Sequence, residues 1–306
     1  MSGASLPIAS VTVALNPDPH RLAEQLNSLA LQVTHVILVD NGSRPPLHMQ
    51  LGDLELPDSL IWVELPENKG IAGGLNAGIS EASGRQAEFV ICMDHDSLAP
   101  SGCVSSLHDG LVDLEQQGHR VAAVGPTICD VRDDRAAPFI KLGVLRHRHL
   151  RCDAKRSPIE TDFLISSGCF ARTRMYQDRL GVGPLDDSLF IDSVDFEWCC
   201  RARARGFLLY GICRATLDHR LGDSRQKLMG GWSIVVHSPT RLYYMTRNRI
   251  ALYRRHYVPL RWKSKDVFRM SAKLLVTLLF LAPRRDYLKA SVDGVLDALK
   301  GRSGAR

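Results

Sequence analysis

The sequence predicts an α/β fold, a mainly parallel sheet flanked by helices and followed by a C-terminal helical extension. Three observations carry this. Short apolar stretches alternate with amphipathic ones through the first third of the chain. Each stretch of strand length ends in polar or glycine-rich residues, and in a parallel sheet such ends fall on one edge. The run Phe89-Val90-Ile91-Cys92-Met93 is apolar on both parities, as a strand buried on both faces requires, and it stops abruptly at Asp94-His95-Asp96-Ser97.

Residues 8–15 read as the first strand. Asn16-Pro17-Asp18-Pro19 turns the chain, with Asp18 placed to cap a helix and Pro19 as its first residue. Leu22, Leu26, Leu29 and Val33 recur at helical spacing. Residues 36–39 form a second strand, ending in Asp40-Asn41-Gly42-Ser43, and residues 60–65 a third, ending in Pro66-Glu67-Asn68-Lys69-Gly70. A helix over about 71–82 leads to the strand that ends at Asp94. Parallel pairing with right-handed crossovers follows from this alternation. Asp40, Asn68 and Asp94 then converge on one sheet edge, although turn chemistry alone also accounts for Asp-Asn-Gly-Ser.

Residues 121–124 give another strand. Residues 130–156 are polar, basic and irregular, an extended loop or peripheral hairpin that serves either as a lid or specificity element or as a solvated surface. Residues 162–170 return to the core. Asp195 falls near a helix start, where the macrodipole favours a carboxylate, and Glu197 and Arg201 have the spacing of a helical ion pair. Residues 208–212 are the last strand, and Leu217-Asp218-His219-Arg220-Leu221-Gly222 leaves the sheet. From Pro239 the chain mixes basic and aromatic residues, and residues 260–282 continue with Arg and Lys beside Trp262, Phe268 and a leucine-rich patch. That pattern suits an amphipathic helix pair at a membrane surface; a helical subdomain packed on the core is the alternative.

Composition bounds the function. The net charge of +6 is modest and lies late in the chain, and no nucleic-acid module is present, so nucleic acid is not an expected partner. Eight cysteines without a C-x-x-C pair argue against structural zinc and a disulfide framework and fit a reducing cytosol. The first residues lack the charged and apolar regions of a signal peptide, and the apolar run 274–282 is too short to span a bilayer.

Two features point to chemistry. Asp94 and Asp96 supply two hard oxygen ligands at a strand end, which suits a divalent cation and, through it, a diphosphate. Gly70, Gly73, Gly74 and Gly78 crowd one helix. Glycine in a helix interior costs about 1 kcal/mol relative to alanine, so close approach by a ligand or another backbone is expected, with tight helix–sheet packing as the other explanation. The spacing is neither G-x-G-x-x-G nor G-x-x-x-x-G-K-S/T, which disfavours dinucleotide and P-loop sites.

Taken in order, several segments resemble family 2 glycosyltransferases with the GT-A fold, and most closely their bacterial rhamnosyltransferase branch. They are Val39-Asp40-Asn41-Gly42-Ser43, Asn68-Lys69-Gly70-Ile71-Ala72-Gly73-Gly74-Leu75-Asn76, Asp94-His95-Asp96-Ser97 and Ile165-Ser166-Ser167-Gly168. Phe190 to Cys199, His219-Arg220-Leu221-Gly222 and Tyr243-Tyr244 with Arg247-Asn248 complete the set. The resemblance covers about residues 11–257. It implies a GT-A catalytic domain over residues 1–230, with a nucleotide-sugar half over about 1–100 and an acceptor half over about 101–230. A C-terminal extension over 231–306 follows, a candidate for membrane association.

The same resemblance implies the roles. Asn16, Asp40, Asn68, Lys69, Gly73, Gly74, Asn76 and Asp94 would bind the donor, with Asp40 on its nucleobase. Asp94, Asp96 and His219 would hold Mg²⁺ or Mn²⁺, and His95 would point away from the metal. Asp195 would be the catalytic base, although Val194 stands where the family usually has Glu, so Asp192 or Glu197 could share the task. Ser167, Gly168, Asp192 and Glu197 are the acceptor-side candidates.

The implied reaction is inverting transfer, with dTDP-rhamnose as the favoured donor. The acceptor would be an oligosaccharide or lipid-linked saccharide of a cell-surface polysaccharide such as the lipopolysaccharide O-antigen. The implied location is cytoplasmic, peripheral at the inner face of the plasma membrane. UDP-galactofuranose, UDP-glucose and UDP-GlcNAc are alternative donors. A nucleotidyltransferase fits less well, because Asn16-Pro17-Asp18-Pro19 occupies the place of its glycine-rich loop. A non-catalytic sugar-binding relative would not need Asp94, Asp96, Asp195 and His219 intact.

Overall fold

The computed structural model describes residues 7–130, 135–143, 146–153, 158–219, 225–227, 233–235, 237–280 and 283–306. Strand β1 (Ile8–Ala14) is buried along its whole length and leads to helix α1 (Pro19–Ala30). Asp18 caps that helix by accepting from the His20 and Arg21 amides, so Asp18 and Pro19 act as the sequence requires. Strand β2 (His35–Asp40), the short helix α2 (Leu47–Gln50), strand β3 (Leu60–Glu64), helix α3 (Gly70–Gly84) and strand β4 (Phe89–Asp94) follow. The sequence reading has no helix after β4, but α4 (Cys103–Gln116) lies there, and its buried Val104, Leu107, Leu111 and Leu114 pack on the sheet.

Strand β5 (Val121–Asp130) is longer than its apolar core suggests. Short strands β6 (Arg135–Ala136), β7 (Phe139–Lys141), β8 (Arg148–Leu150) and β9 (Ile159–Thr161) come next, and β7 and β8 form an antiparallel hairpin. The region 130–156 is therefore a peripheral hairpin where it is described; residues 131–134, 144–145 and 154–156 lie outside the described residues. Strand β10 (Cys169–Arg172), helix α5 (Val194–Ala204) and strand β11 (Leu208–His219) complete the core, with β12 (Arg225–Lys227) and β13 (Ser233–Val235) as a separate pair. The Arg220-Leu221-Gly222 part of the exit motif lies outside the described residues.

The central sheet runs β3-β2-β1-β4-β10-β5-β11-β9, with β6 attached to β5. The β3-β2-β1-β4 half is parallel throughout, and β5 and β11 are parallel to each other. Strand β10 enters antiparallel between β4 and β5, which joins the two halves. Helix α3 packs on one face of the sheet and α4 on the other.

Two expectations are corrected. Cys152 and Cys213 form a disulfide across 61 residues, a pairing that local cysteine spacing does not reveal; the other six cysteines are not disulfide-bonded. The C-terminal region is three helices rather than a pair: α6 (Pro239–Arg254), α7 (Leu260–Phe280) and α8 (Arg284–Leu299). Helices α6 and α8 pack together, and Gly294 allows α8 to approach the α6 backbone at Tyr243. Among the described residues no helix is long and apolar enough to cross a membrane.

Candidate active site

Strand β4 ends at Asp94 and β11 at His219, both on the edge of the sheet where parallel strands finish, so the two side chains meet although 125 positions separate them. The turn carrying Asp96 is pinned to β11 by paired Leu98 and Asp218 backbone hydrogen bonds of 2.9 and 3.0 Å. The resulting cleft has a volume of about 530 Å³, and Asp94, Asp96, Asp192, Asp195, His219 and Arg241 line it. His95 lines it as well but stands outside the ligand cluster.

One ligand atom each from Asp94, Asp96 and His219 lies within 4.8 Å of the others. His219 Nε2 is 3.9 Å from Asp94 Oδ2, and Nδ1 is 3.6 Å from Asp96 Oδ1. Burial pushes the Asp94 carboxyl up; the His219 imidazole opposes this and the Asp96 carboxylate reinforces it. Two crowded carboxylates and an imidazole in one cleft are a donor set that fits Mg²⁺ or Mn²⁺.

Asp195 stands at the first turn of α5, facing the same cleft. Burial pushes its carboxyl up to about 7; the Asp192 and Asp94 carboxylates add to that, while the Phe196 amide it accepts at 2.8 Å opposes it. Asp192 is held by Arg241 of α6 through contacts of 3.1 and 3.2 Å. The approach to α5 is strained, with Phe190, Asp192 and Ser193 at φ of 64°, 62° and 67°. Its conformation is fixed by Asn248 of α6, whose amide donates to the carbonyls of Leu189, Ile191 and Asp192 at 2.7–2.9 Å. Arg247 adds bonds to the Ser188 and Leu189 carbonyls.

The remaining sequence candidates divide into those near the strand ends and those with structural partners. Asp40 is 3% exposed, and its carboxylate accepts from the Ser43 and Leu47 amides, both at 2.8 Å. Asn16 accepts from the Arg44 amide, and Asn68 accepts from the Gly70 amide and the Asn41 side chain. Lys69 is exposed and pairs with Glu67 at 2.5 Å. A Cβ on Gly73 would meet only the Lys69 side chain.

Several candidates have structural roles of their own. Gly74 and Gly78 press on Val13 and on Val11 and Val39, and Gly70 on the Phe190 carbonyl, so packing explains their spacing. Asn76 bonds the Leu185 backbone in both directions, at 2.8 and 2.9 Å. Glu197 is fully buried and bonds Arg201 at 2.9 Å, Arg255 at 3.2 Å and Tyr257 at 2.5 Å, away from the cleft lining. Ser167 is 1% exposed with its hydroxyl turned to Ser97, and it also borders a second cavity next to the cleft. Gly168 has φ +80° and donates to the Cys92 carbonyl, a backbone role.

Arg241, Asn248 and Ser97 are site residues that sequence reasoning did not single out. Their signals were the Tyr243-Tyr244/Arg247-Asn248 cluster and the serine ending the Asp94 motif; docking of α6 on the 188–192 loop gave no local sign.

Residues 11–175 match the family model for glycosyl transferase family 2. The chain is 30% identical over 302 residues to the dTDP-rhamnosyl transferase RfbF of Shigella flexneri, covering 97% of each. Among solved structures it is similar to S. aureus TarS 1-349, with a TM-score of 0.53 and 16% identity over 96% of this chain and 81% of that one. It is also similar to GalNAc-T7 with UDP, GalNAc and Mn²⁺, with a TM-score of 0.58 and 14% identity over 98% of this chain and 59% of that one. At such identities these likenesses establish the GT-A-type fold.

Proposed function

Since the chain belongs to glycosyl transferase family 2 and is a glycosyltransferase, we propose that it transfers L-rhamnose from dTDP-L-rhamnose to a saccharide acceptor with inversion. The observation that carries the donor is the end-to-end likeness to a dTDP-rhamnosyl transferase. The grouping of Asp94, Asp96, His219 and Asp195 around one cleft supports the chemistry.

Asp94, Asp96 and His219 would hold Mg²⁺ or Mn²⁺, which when bound supplies Lewis-acid stabilisation of the leaving diphosphate. Asp195 takes the proton of the acceptor hydroxyl as it attacks the anomeric carbon, and its raised affinity for a proton near neutral pH suits that task. One base and one displacement invert the centre, so a β-L-rhamnosyl donor gives an α-L-rhamnoside without a covalent enzyme intermediate. Asp192 opposes ionisation of the base, and its pairing with Arg241 offsets part of that charge. Asn16, Asp40 and Asn68 belong to the nucleotide side through the strand ends they occupy.

On the acceptor side, a cavity of about 300 Å³ adjoins the cleft at Ile165 and is walled by Pro126, Phe139, Ile140 and Phe163. Its apolar walls suit an acceptor with a hydrocarbon part, such as a lipid-linked saccharide of a cell-surface polysaccharide. Helix α7 carries Arg261, Lys263, Lys265, Arg269 and Lys273, and Leu260, Val267, Phe268 and Leu275 are exposed on it. That combination fits peripheral attachment to the inner face of the plasma membrane.

The test is a panel of dTDP-rhamnose, UDP-galactofuranose, UDP-glucose and UDP-GlcNAc, measured for binding and hydrolysis with Mg²⁺, Mn²⁺ or EDTA. Metal-dependent turnover of dTDP-rhamnose above the others is expected. Preference for a UDP-sugar, the donor type bound in a TarS structure of similar fold, would replace the donor assignment, and indifference to EDTA would remove the metal.

A further inference from the structure

We propose that Ser97, backed by Ser167, is a positioning residue that fixes the His219 ring with Nε2 presented to the cation site. The proposal rests on the metal reading above and concerns which nitrogen is the ligand and what holds it. His219 is the last residue of β11 and is 9% exposed. Its Nδ1 lies 2.7 Å from Ser97 Oγ, whereas the Asp96 carboxylate is 3.6 Å away, beyond hydrogen-bond reach. Ser97 Oγ is also 2.7 Å from Ser167 Oγ, and Ser167 Oγ accepts from the Asp94 amide at 3.4 Å. Both serines are 1% exposed.

The direction of this hydrogen-bond chain sets the tautomer, and the metal reading requires the one in which Nδ1 donates. A hydroxyl has one hydrogen and two lone pairs. If Nδ1–H donates to Ser97, the Ser97 hydrogen goes to Ser167, whose lone pairs receive Ser97 O–H and Asp94 N–H. Nε2 is left with a lone pair, 3.9 Å from Asp94 Oδ2. Reversing the chain places the hydrogen on Nε2 and closes the ligand position. A metal-ligating histidine whose second nitrogen is held this way is oriented and made more basic. The chain also ties one ligand to another, since it begins at the Asp94 backbone and ends on the His219 ring. The Leu98–Asp218 backbone pair holds the two ends in register.

The test is Mn²⁺ binding to the full chain with dTDP, read by loss of the free-ion paramagnetic resonance signal, for wild type, His219→Ala, Ser97→Ala, Ser97→Thr and Ser167→Ala. Ser97→Ala is expected to weaken Mn²⁺ about tenfold and Ser167→Ala less, while Ser97→Thr retains most of the affinity. Nitrogen NMR of the wild-type protein with Mg²⁺, the His219 signals assigned by their loss in His219→Ala, should find the ring proton on Nδ1; this needs no serine variant to fold. Equal Mn²⁺ affinity in wild type and His219→Ala removes His219 from the metal site and the proposal with it. Loss in His219→Ala with wild-type affinity in Ser97→Ala, or a proton on Nε2, overturns the proposal and leaves the metal reading standing.

Discussion

As the proposed base, Asp195 would couple activity to stability through one carboxyl. Burial pushes its carboxyl up to about 7 in the folded chain, against about 3.9 in an unfolded one. Between those values the folded state holds more protons, so this group makes stability fall as pH rises from about 4 to about 7. The ionised form is nonetheless the one a general base needs. Asp195→Asn is therefore expected to lower kcat by about 10² to 10⁴ while raising Tm relative to wild type at pH 8, with little difference near pH 4. Calorimetry at the two pH values checks the second half; an equal Tm difference at both would mean the carboxyl is not strained. For the wild type, kcat/KM should rise about tenfold per pH unit up to about pH 7 and then flatten. Flat activity from pH 5 to 8 would take the base role away from Asp195. The bond network around Glu197 predicts the opposite pattern for that carboxylate. With three partners and no exposure, Glu197→Gln should destabilise the fold by a few kcal/mol and affect rate only through that loss.

Helix α3 shows what the sequence could and could not disclose. Its boundaries and those of β1 to β4 were legible, because strands buried on both faces read as continuous apolar runs and their turns carry Asp, Asn, Gly and Pro. The glycines of α3 were visible, but whether they faced a ligand or the sheet depended on a helix rotation that no local pattern states. Val11 and Val13 settle it, lying 2.3 and 2.6 Å from where Cβ atoms on Gly78 and Gly74 would sit. Gly78→Ala is expected to cost about 1–3 kcal/mol by overpacking. Gly84, with nothing within 4 Å of its Cβ position, should gain about 0.5–1 kcal/mol on conversion to alanine. Denaturant midpoints for the two variants check this, and similar shifts of one sign would contradict the packing assignment. The antiparallel entry of β10 between β4 and β5 was not legible, since strand pairing is non-local. Helix α4 was legible in its i, i+3 and i+4 apolar spacing and was passed over. The candidate metal triad was half legible: Asp94-x-Asp96 is a local signal, but a lone histidine at a strand end gains meaning only from the sheet that brings it there or from resemblance.

The C-terminal helices are tied to the candidate active site as well as carrying the proposed membrane surface, and this changes how the two roles can be separated. Helix α6 supplies Arg241 to the cleft and fastens the strained 188–192 loop through Arg247 and Asn248, while α8 packs along α6 and Tyr243 bonds Asp297 at 2.9 Å. Deleting residues 260–306 would strip α6 of its support, so loss of membrane binding in such a truncation would be confounded by loss of fold. Helix α7 offers a cleaner route. Its one carboxylate, Asp266, is buried and bonds Tyr253 at 2.8 Å, whereas Phe268 is 78% exposed and Val267 46%. Burying a side chain of that size in the interface gains about 1.5–3 kcal/mol, and each nearby Lys or Arg adds about 1 kcal/mol on an anionic leaflet. Phe268→Glu is therefore expected to weaken binding to vesicles containing anionic lipid at least tenfold, to leave Tm within a few degrees, and to leave hydrolysis of a soluble nucleotide sugar unchanged. Lys263 bonds the Arg255 carbonyl and Lys265 the Gly143 carbonyl, so Arg269→Glu is the charge variant that leaves those contacts in place. Its effect should vanish in neutral vesicles and at high salt. Undiminished sedimentation of both variants with anionic vesicles would show that α7 is not the attachment surface.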